Sequence, residues 1–512
     1  MPPRTGWRRT AGRVPLLAVT AGIGTLLMLV VALFAGASGD DDSGRAFLYG
    51  GVLFTGLVGC AGVSAATMTP GNPARAMLLS LAGIYLLVPV LLALPLQAAM
   101  PGLSFRHAYF EMVSSLTTTG ATVFAEPGTV PDAVHLGRAL VGWYGGFLIW
   151  VAAIAILAPL RLGGFEVMLE GRRPGPGGTA GPAGFSEPPM PRIARFARQL
   201  APVYGGLTLG CWLCLLIAGE TPLVAACHAL STLSSSGITP LADLSGARAG
   251  RWGEVVLFGF MVFALSRLTF ARDMPVPPER RWWQDPELRL AAVLMAATTA
   301  LVFLHHFLAG TEAGVPIGLP DSLRSLWGAL FMAMSFLTTT GFVSADWDMA
   351  QHWSELTTPG LVLMGLAMVG GGVATTAGGV KLLRVYVLYK HGRFEAERLL
   401  QPSLVASPGS RARRFGQEQA FVAWLYFMIF ALSLTAVMLA LSLLDVGFES
   451  ALLLATASLT TTGQLAGVGG DASVAWGSLP AGPQLVLCLA MVLGRVETLA
   501  FVALLNPAFW RR

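Results

Sequence analysis

Long apolar runs alternate with short polar segments along the entire chain. Runs of about 20 residues, enough to cross a hydrocarbon core about 30 Å thick, fall near 14–36, 46–67, 76–98, 136–160, 198–218, 251–271, 288–309, 358–390, 418–443 and 482–506. Each predicts a membrane-spanning helix. Four shorter apolar stretches lie between spans, near 105–117, 222–234, 321–337 and 447–459. Most are about a dozen residues, and at 1.5 Å per residue such a helix covers about 18 Å, too little to cross, so these stretches are expected to enter the membrane and turn back.

Each short stretch runs into a polar segment of one form: SSLTTTGATVF (Ser114 to Phe124), STLSSSGITPL (Ser231 to Leu241), MSFLTTTGFVS (Met334 to Ser344) and ASLTTTGQLAG (Ala457 to Gly467). Their glycines, Gly120, Gly237, Gly341 and Gly463, are 117, 104 and 122 residues apart. One such segment reads as an ordinary turn, but four in register, each between a short helix and a span, read as a repeated unit. Non-helical backbone at membrane depth is tolerated only where protein buries it or water reaches it. The four segments are therefore expected to share one interior, with the partially negative C-terminal ends of the short helices favouring a cation there.

Glycine takes positive φ at little cost and lets successive carbonyls turn to one side. Four such strands would replace a cation's water shell with oxygen ligands, the arrangement of potassium-channel filters. The candidate ligands are Thr118, Thr119, Gly120 and Ala121; Ser235, Ser236, Gly237 and Ile238; Thr339, Thr340, Gly341 and Phe342; and Thr461, Thr462, Gly463 and Gln464.

Composition fits this pattern: 54% of the 512 residues are hydrophobic and 12% charged, with mean hydropathy +0.66, which excludes a soluble protein. The first run follows Arg4, Arg8, Arg9 and Arg13 and ends in FAGASG. It exceeds the apolar core of about 7–15 residues of a cleaved signal, so a span is the better reading. If the chain alternates from a cytoplasmic N-terminus, 25 of its 33 Lys and Arg fall on the inner side, as the positive-inside rule requires, and the C-terminus is cytoplasmic too. The outer and re-entrant segments hold 17 Asp and Glu, including Asp40, Asp41, Asp42, Asp132, Asp346 and Asp348. They predict an acidic mouth that concentrates cations. The basic residues sit at span ends and form no nucleic-acid patch. Five cysteines in apolar or re-entrant segments read as packing, and seven scattered histidines suggest no metal site.

The eighth run contains VGGGVATTAGGVKLLR, Val369 to Arg384. Each glycine weakens a helix by about 1 kcal/mol relative to alanine, so an unwound segment is expected there. In the last run, Arg495 costs an estimated ~2.5–3.5 kcal/mol to insert, which argues for a purpose. It lies 32 residues after Gly463, and Arg267 lies 30 after Gly237. For Arg267 a pore-facing side chain and one that snorkels to the interface both stand. Glu497, two residues from Arg495, falls on another helix face.

These loops, the glycine-rich run and the ending LGRVETLAFVALLNPAFW resemble the Trk/Ktr/HKT superfamily of potassium transporters over essentially the whole chain. The extra N-terminal hairpin is closest to Trk-type membrane subunits. The resemblance implies an all-α integral membrane protein with four pseudo-symmetric helix, pore-loop, helix repeats around a central ion pore. The boundaries expected are a hairpin over 1–75, repeats over 76–170, 198–287, 288–392 and 418–512, and cytoplasmic linkers over 171–197 and 393–417. It also implies an intramembrane gate at Gly370, Gly371, Gly372, Thr375, Thr376, Gly378, Gly379 and Lys381, although Ala374 and Thr375 depart from the usual glycine and serine of GGCAGSTAGGIK.

By the same resemblance Arg495 projects into the pore beneath the filter, and Gly120 in the first loop favours K+ over Na+. The family further implies no enzymatic step or covalent cofactor, a homodimer in the bacterial inner membrane, and a cytosolic TrkA-type nucleotide-binding regulator. Coupling to Na+ or H+ stays open. Two other readings fit the chain less well. An intramembrane hydrolase needs a base beside its hydroxyl nucleophile, and no histidine lies in these loops; a coupled carrier of another solute is normally built from inverted repeats, whereas these run in one direction.

Overall fold

A hairpin of two helices precedes the first repeat. The computed structural model describes residues 15–65, 73–158, 189–266, 285–309, 319–354, 356, 358–400, 410–470 and 473–497; Arg267, most of the first linker, part of the second and the residues after Glu497 lie outside them. Helix α1 (Leu16–Ser38) stops at Gly39, whose φ of 82° ends the helix. Helix α2 (Asp41–Ala65) begins directly, with Asp40 Oδ1 accepting the Ser43 N–H at 3.1 Å. The two helices touch through small residues, Gly44 against Ala35, and through a 2.9 Å hydrogen bond between the Thr25 and Thr55 hydroxyls. Close approach of this kind holds helices together where lipid removes the hydrophobic drive. Leu33, Leu53, Leu57 and Val63 are exposed on the outside of the hairpin.

The remaining helices repeat one plan four times. The first repeat has α3 (Pro73–Ala99), α4 (Phe105–Leu116) and α5 (Asp132–Ala152), the last continuing through a wider turn over Ala153–Leu157. The second has α6 (Pro189–Ile217), α7 (Pro222–Ser234) and α8 (Gly250–Met261). The third has α9 (Pro286–Ala309), α10 (Leu319–Leu337), a short α11 (Trp347–Ser354), and a final span split into α12 (Gly360–Val369) and α13 (Leu382–Leu400). The fourth has α14 (Ser410–Ser442), α15 (Phe448–Leu459), a single turn α16 (Leu465–Val468) and α17 (Ala481–Val496).

Seven helices among the described residues are long and apolar enough to cross a membrane. Three expected spans are shorter. Helix α8 tightens into a narrower turn at Val262–Ala264, α12 stops at the glycine-rich run, and α17 ends at Val496, where Glu497 turns left-handed. The four short helices stand where the apolar pattern puts them, and α11 and α16 add turns that the pattern does not show.

Glycine lets the spans after the loops approach the short helices. A Cβ at Gly145 of α5 would fall on the carbonyl of Leu116, the last residue of α4, and one at Gly494 of α17 on the carbonyl of Leu459, the last residue of α15. Leu116 and Leu459 each lie four residues before their loop glycine. The first and fourth repeats thus use the same contact to seat the short helix, and with it the polar loop.

Candidate functional site

The four polar loops leave their helices in the same way. The N–H of Thr119, Ser236, Thr340 and Thr462 donates to the carbonyl five residues earlier, at 2.8, 2.9, 2.9 and 2.8 Å. The residue before each of these is left-handed: Thr118, Ser235, Thr339 and Thr461 have φ of 56°, 54°, 54° and 54°. This is a strained place for any side chain but glycine, repeated four times. Hydroxyls two residues apart brace each turn, Thr117 to Thr119, Ser234 to Ser236 and Thr338 to Thr340 at 2.9 Å, and Thr460 to Thr462 at 3.3 Å.

The loops converge. Gly120, Gly237 and Gly341 have φ of 72°, 58° and 83°, which turns the backbone as glycine allows. A Cβ at Gly120 would fall on the Ser236 carbonyl and one at Gly237 on the Thr340 carbonyl, while the Gly463 N–H donates to Thr119 O at 2.6 Å. First meets second, second meets third, and fourth closes on first. Gly463 departs from the expected form: its φ is not positive, and its carbonyl accepts the Trp476 indole N–H at 3.3 Å.

Above this ring lies a cavity of about 840 Å³, whose lining includes Gly120, Gly237, Gly463, Gln464, Asp243 and Asp348. Below it, the hydroxyls of Thr118 and Thr461 are buried and make no hydrogen bond. Orphan hydroxyls at such depth are costly, and that of Thr461 lies against Gly378 of the glycine-rich run.

The glycine-rich run is unwound as expected and lies directly under the loops. Gly370 and Gly379 have φ of 72° and 78°, and Ala374 and Lys381 are also left-handed, at 58° and 86°. The segment folds back on itself, with Val380 N–H on Met368 O and Lys381 N–H on Val369 O, both at 2.9 Å. Glu287 of α9 anchors it by accepting the Val373 N–H at 2.9 Å. It reaches three loops. Thr376 Oγ1 lies 2.7 Å from Ser235 Oγ and donates to Leu233 O at 3.1 Å. Gly378 N–H donates to Thr339 Oγ1 at 2.7 Å, and a Cβ at Gly378 would fall on Thr460 O. Thr375 bonds only locally, to Gly372 O at 2.7 Å, and Lys381 Nζ donates to Ala377 O.

Arg495 is buried, and its Nη1 donates to Thr376 O at 2.6 Å. A cavity of about 20 Å³ beside it is lined by Thr375, Gly378, Gly379 and Lys381. Glu497, left-handed just past the end of α17, lines the same cavity and pairs with Arg384 at 3.0 Å, so it makes a different contact from Arg495 although helix spacing does not set its direction.

The expectation of an acidic mouth needs correcting at Asp346, which is buried and held by Arg251 through two bonds of 2.7 and 3.0 Å. Other acids also serve as anchors. Glu111 accepts from Thr122 Oγ1 (2.7 Å) and Val123 N–H (2.5 Å) and pairs with the buried Arg138 at 2.8 Å. Glu254 accepts from Trp327 Nε1 (2.6 Å), Ser344 Oγ (3.0 Å) and Ala345 N–H (2.7 Å). These carboxylates fix the outgoing ends of the first and third loops. Counting charge by segment misses them because burial is decided by tertiary contacts; the signal in the sequence is an acid within a mainly apolar helical stretch, Glu111 in α4 and Glu254 in α8.

The family model for TrkH, a cation transport protein, matches residues 255–510. A Trk system potassium uptake protein TrkH from Vibrio parahaemolyticus is 30% identical over 424 residues, covering 80% of this chain and 81% of that one. The chain belongs to the TrkH family. A TrkH from Escherichia coli is 29% identical over 422 residues, 80% of each chain, and a Trk system potassium uptake protein TrkG from the same species is 29% identical over 418 residues, 80% of each. Among solved structures, that of the potassium transporter TrkH from Vibrio parahaemolyticus superposes with a TM-score of 0.79 at 24% identity, covering 98% of this chain and all of that one. The TrkH fold therefore extends over the N-terminal half as well, and this chain is a multi-pass membrane protein of that family.

Proposed function

We propose that this chain takes up potassium across the cell membrane through a pore in which the four polar loops form a selectivity filter and the glycine-rich run forms the gate. The observation that carries the reading is the ring itself: left-handed glycines at 120, 237 and 341 whose loops abut in order, above two unpartnered threonine hydroxyls. Backbone and hydroxyl oxygens gathered in this way suit a cation that has shed its water. The names of the relatives point to potassium. Thr376 and Gly378 bond the inner side of the second and third loops, so movement of that segment would open the path below.

In this reading the cavity of about 840 Å³ is the outer vestibule, both termini are cytoplasmic and the bilayer is the bacterial inner membrane. A homodimer working with a TrkA-type cytosolic regulator fits the "Trk system" of the relatives' names, and the chain does no covalent chemistry. Rescue of growth at limiting K+ in a transport-deficient bacterium tests the function. The purified protein in liposomes should carry K+ in preference to Na+, and imposed Na+ or pH gradients on the same vesicles test coupling. Failure to carry any alkali cation would overturn the reading.

A further inference from the structure

Three of the four loops are braced at one point. The hydroxyls of Ser114, Ser231 and Ser335 donate to the carbonyls of Ala121, Ile238 and Phe342 at 2.6, 2.5 and 2.8 Å. Each serine lies six residues before its loop glycine, and each acceptor is the residue after that glycine. In the fourth loop the serine's place is taken by Ala457 and the acceptor's by Gln464. Without that brace the backbone turns into α16, and the Gln464 carbonyl accepts the Gly467 N–H at 2.9 Å instead.

The Gln464 side chain then crosses the top of the ring. Its Nε2 donates to Gly237 O at 2.7 Å and to Gly120 O at 3.3 Å. Its Oε1 makes no hydrogen bond and lies 2.5 Å from where a Cβ on Gly341 would stand. One amide thus touches all three opposing loops, and its donors hold two carbonyls that a cation arriving from the vestibule would need.

We propose that Gln464 determines ion access and apparent affinity: its amide stands in for the cation at the outermost carbonyls, and the incoming ion must displace it. This rests on the reading of the loops as a filter. An amide N–H is a donor with partial positive charge and satisfies the same oxygens that a dehydrated ion would. Both cannot hold them together. The unpartnered Oε1 works against the bound position, because a buried acceptor without a donor is costly, and the side chain regains water on swinging into the vestibule that Gln464 lines. The amide therefore yields to the ion without closing the pore permanently.

The test is rubidium-tracer influx into liposomes holding the full-length protein as wild type, Gln464→Ala or Gln464→Ser, across a range of external K+. Loss of two neutral hydrogen bonds should lower the half-saturating K+ by about tenfold in both variants. Uptake at low K+ should rise, and flux seen only in the variants would overturn the claim that the incoming ion displaces the amide. Half-saturation unchanged, with K+ still preferred over Na+, would overturn this inference and leave the function standing. A rise in half-saturation would make Gln464 a ligand and overturn it as well. No alkali-cation flux in wild type or in either variant would overturn both. Two variants of different polarity, each checked for a single symmetric peak in size-exclusion chromatography, guard against a folding defect in one of them.

Discussion

Ser235 Oγ lies 2.7 Å from Thr376 Oγ1, across 141 residues of sequence, so the inner end of the second loop and the glycine-rich segment share a hydrogen bond. The same Thr376 hydroxyl bonds Leu233 O, and the Thr376 carbonyl accepts from Arg495. Three elements meet at one residue.

Replacing Thr376 with valine keeps the shape and removes the hydroxyl. The two lost bonds weaken the closed arrangement by about 1 kcal/mol each, so steady K+ efflux from loaded liposomes should increase about thirtyfold. Efflux equal to wild type would show that the hydroxyl does not hold the segment shut.

Arg495→Ala removes the donor to Thr376 O and a positive charge beneath the loops. Flux should rise, because the tether is lost and a buried positive charge on the proposed ion path would repel the permeating cation. Arg495→Lys keeps the charge without the planar fork of donors and should fall between the two. If alanine lowers flux while the protein remains folded, Arg495 does not oppose permeation.

Gly120→Ser places a Cβ on the Ser236 carbonyl at a φ of 72°. The first loop must shift, and the carbonyl spacing with it. Preference for K+ over Na+ should fall at least several-fold when measured by competition in liposome flux. A preserved ratio, repeated at Gly237 and Gly341, would remove the case for a carbonyl filter.

Glu111→Ala strands the buried Arg138 guanidinium and frees the Val123 N–H. Breaking one side of a buried pair costs about 3–5 kcal/mol. The detergent-solubilised protein should unfold well below wild type on heating, whereas the double change Glu111→Leu with Arg138→Met should recover part of the loss. Equal midpoints for the single and double variants would show that the stranded charge is not the cause.

Much of this architecture is legible in the chain because two physical requirements write themselves into sequence. Length against bilayer thickness marks the spans, and a short apolar stretch followed by hydroxyls and a glycine marks each re-entrant loop; Phe105–Leu116, Pro222–Ser234 and Phe448–Leu459 end within a residue of the pattern. The unwound run at Gly370 is legible for the same reason, since so many glycines cannot hold a helix. What stays hidden depends on partners distant in sequence. Nothing near Glu254 announces Trp327 and Ser344, and nothing near Asp346 announces Arg251. The odd fourth loop was readable only in part: Ala457 breaks a serine spacing kept by the other three, but where the Gln464 amide would then go is decided by the loops opposite.

One glutamine among four otherwise similar loops also says something about why the quarters are joined. An assembly of four identical subunits would bring four such amides to a single axis, where the opposing carbonyls accommodate one. Fusion of the quarters into one polypeptide removes that constraint, because each becomes free to drift in sequence while its neighbours keep the ring. Asymmetry of this kind is open to a single gene encoding all four quarters and closed to a homotetramer.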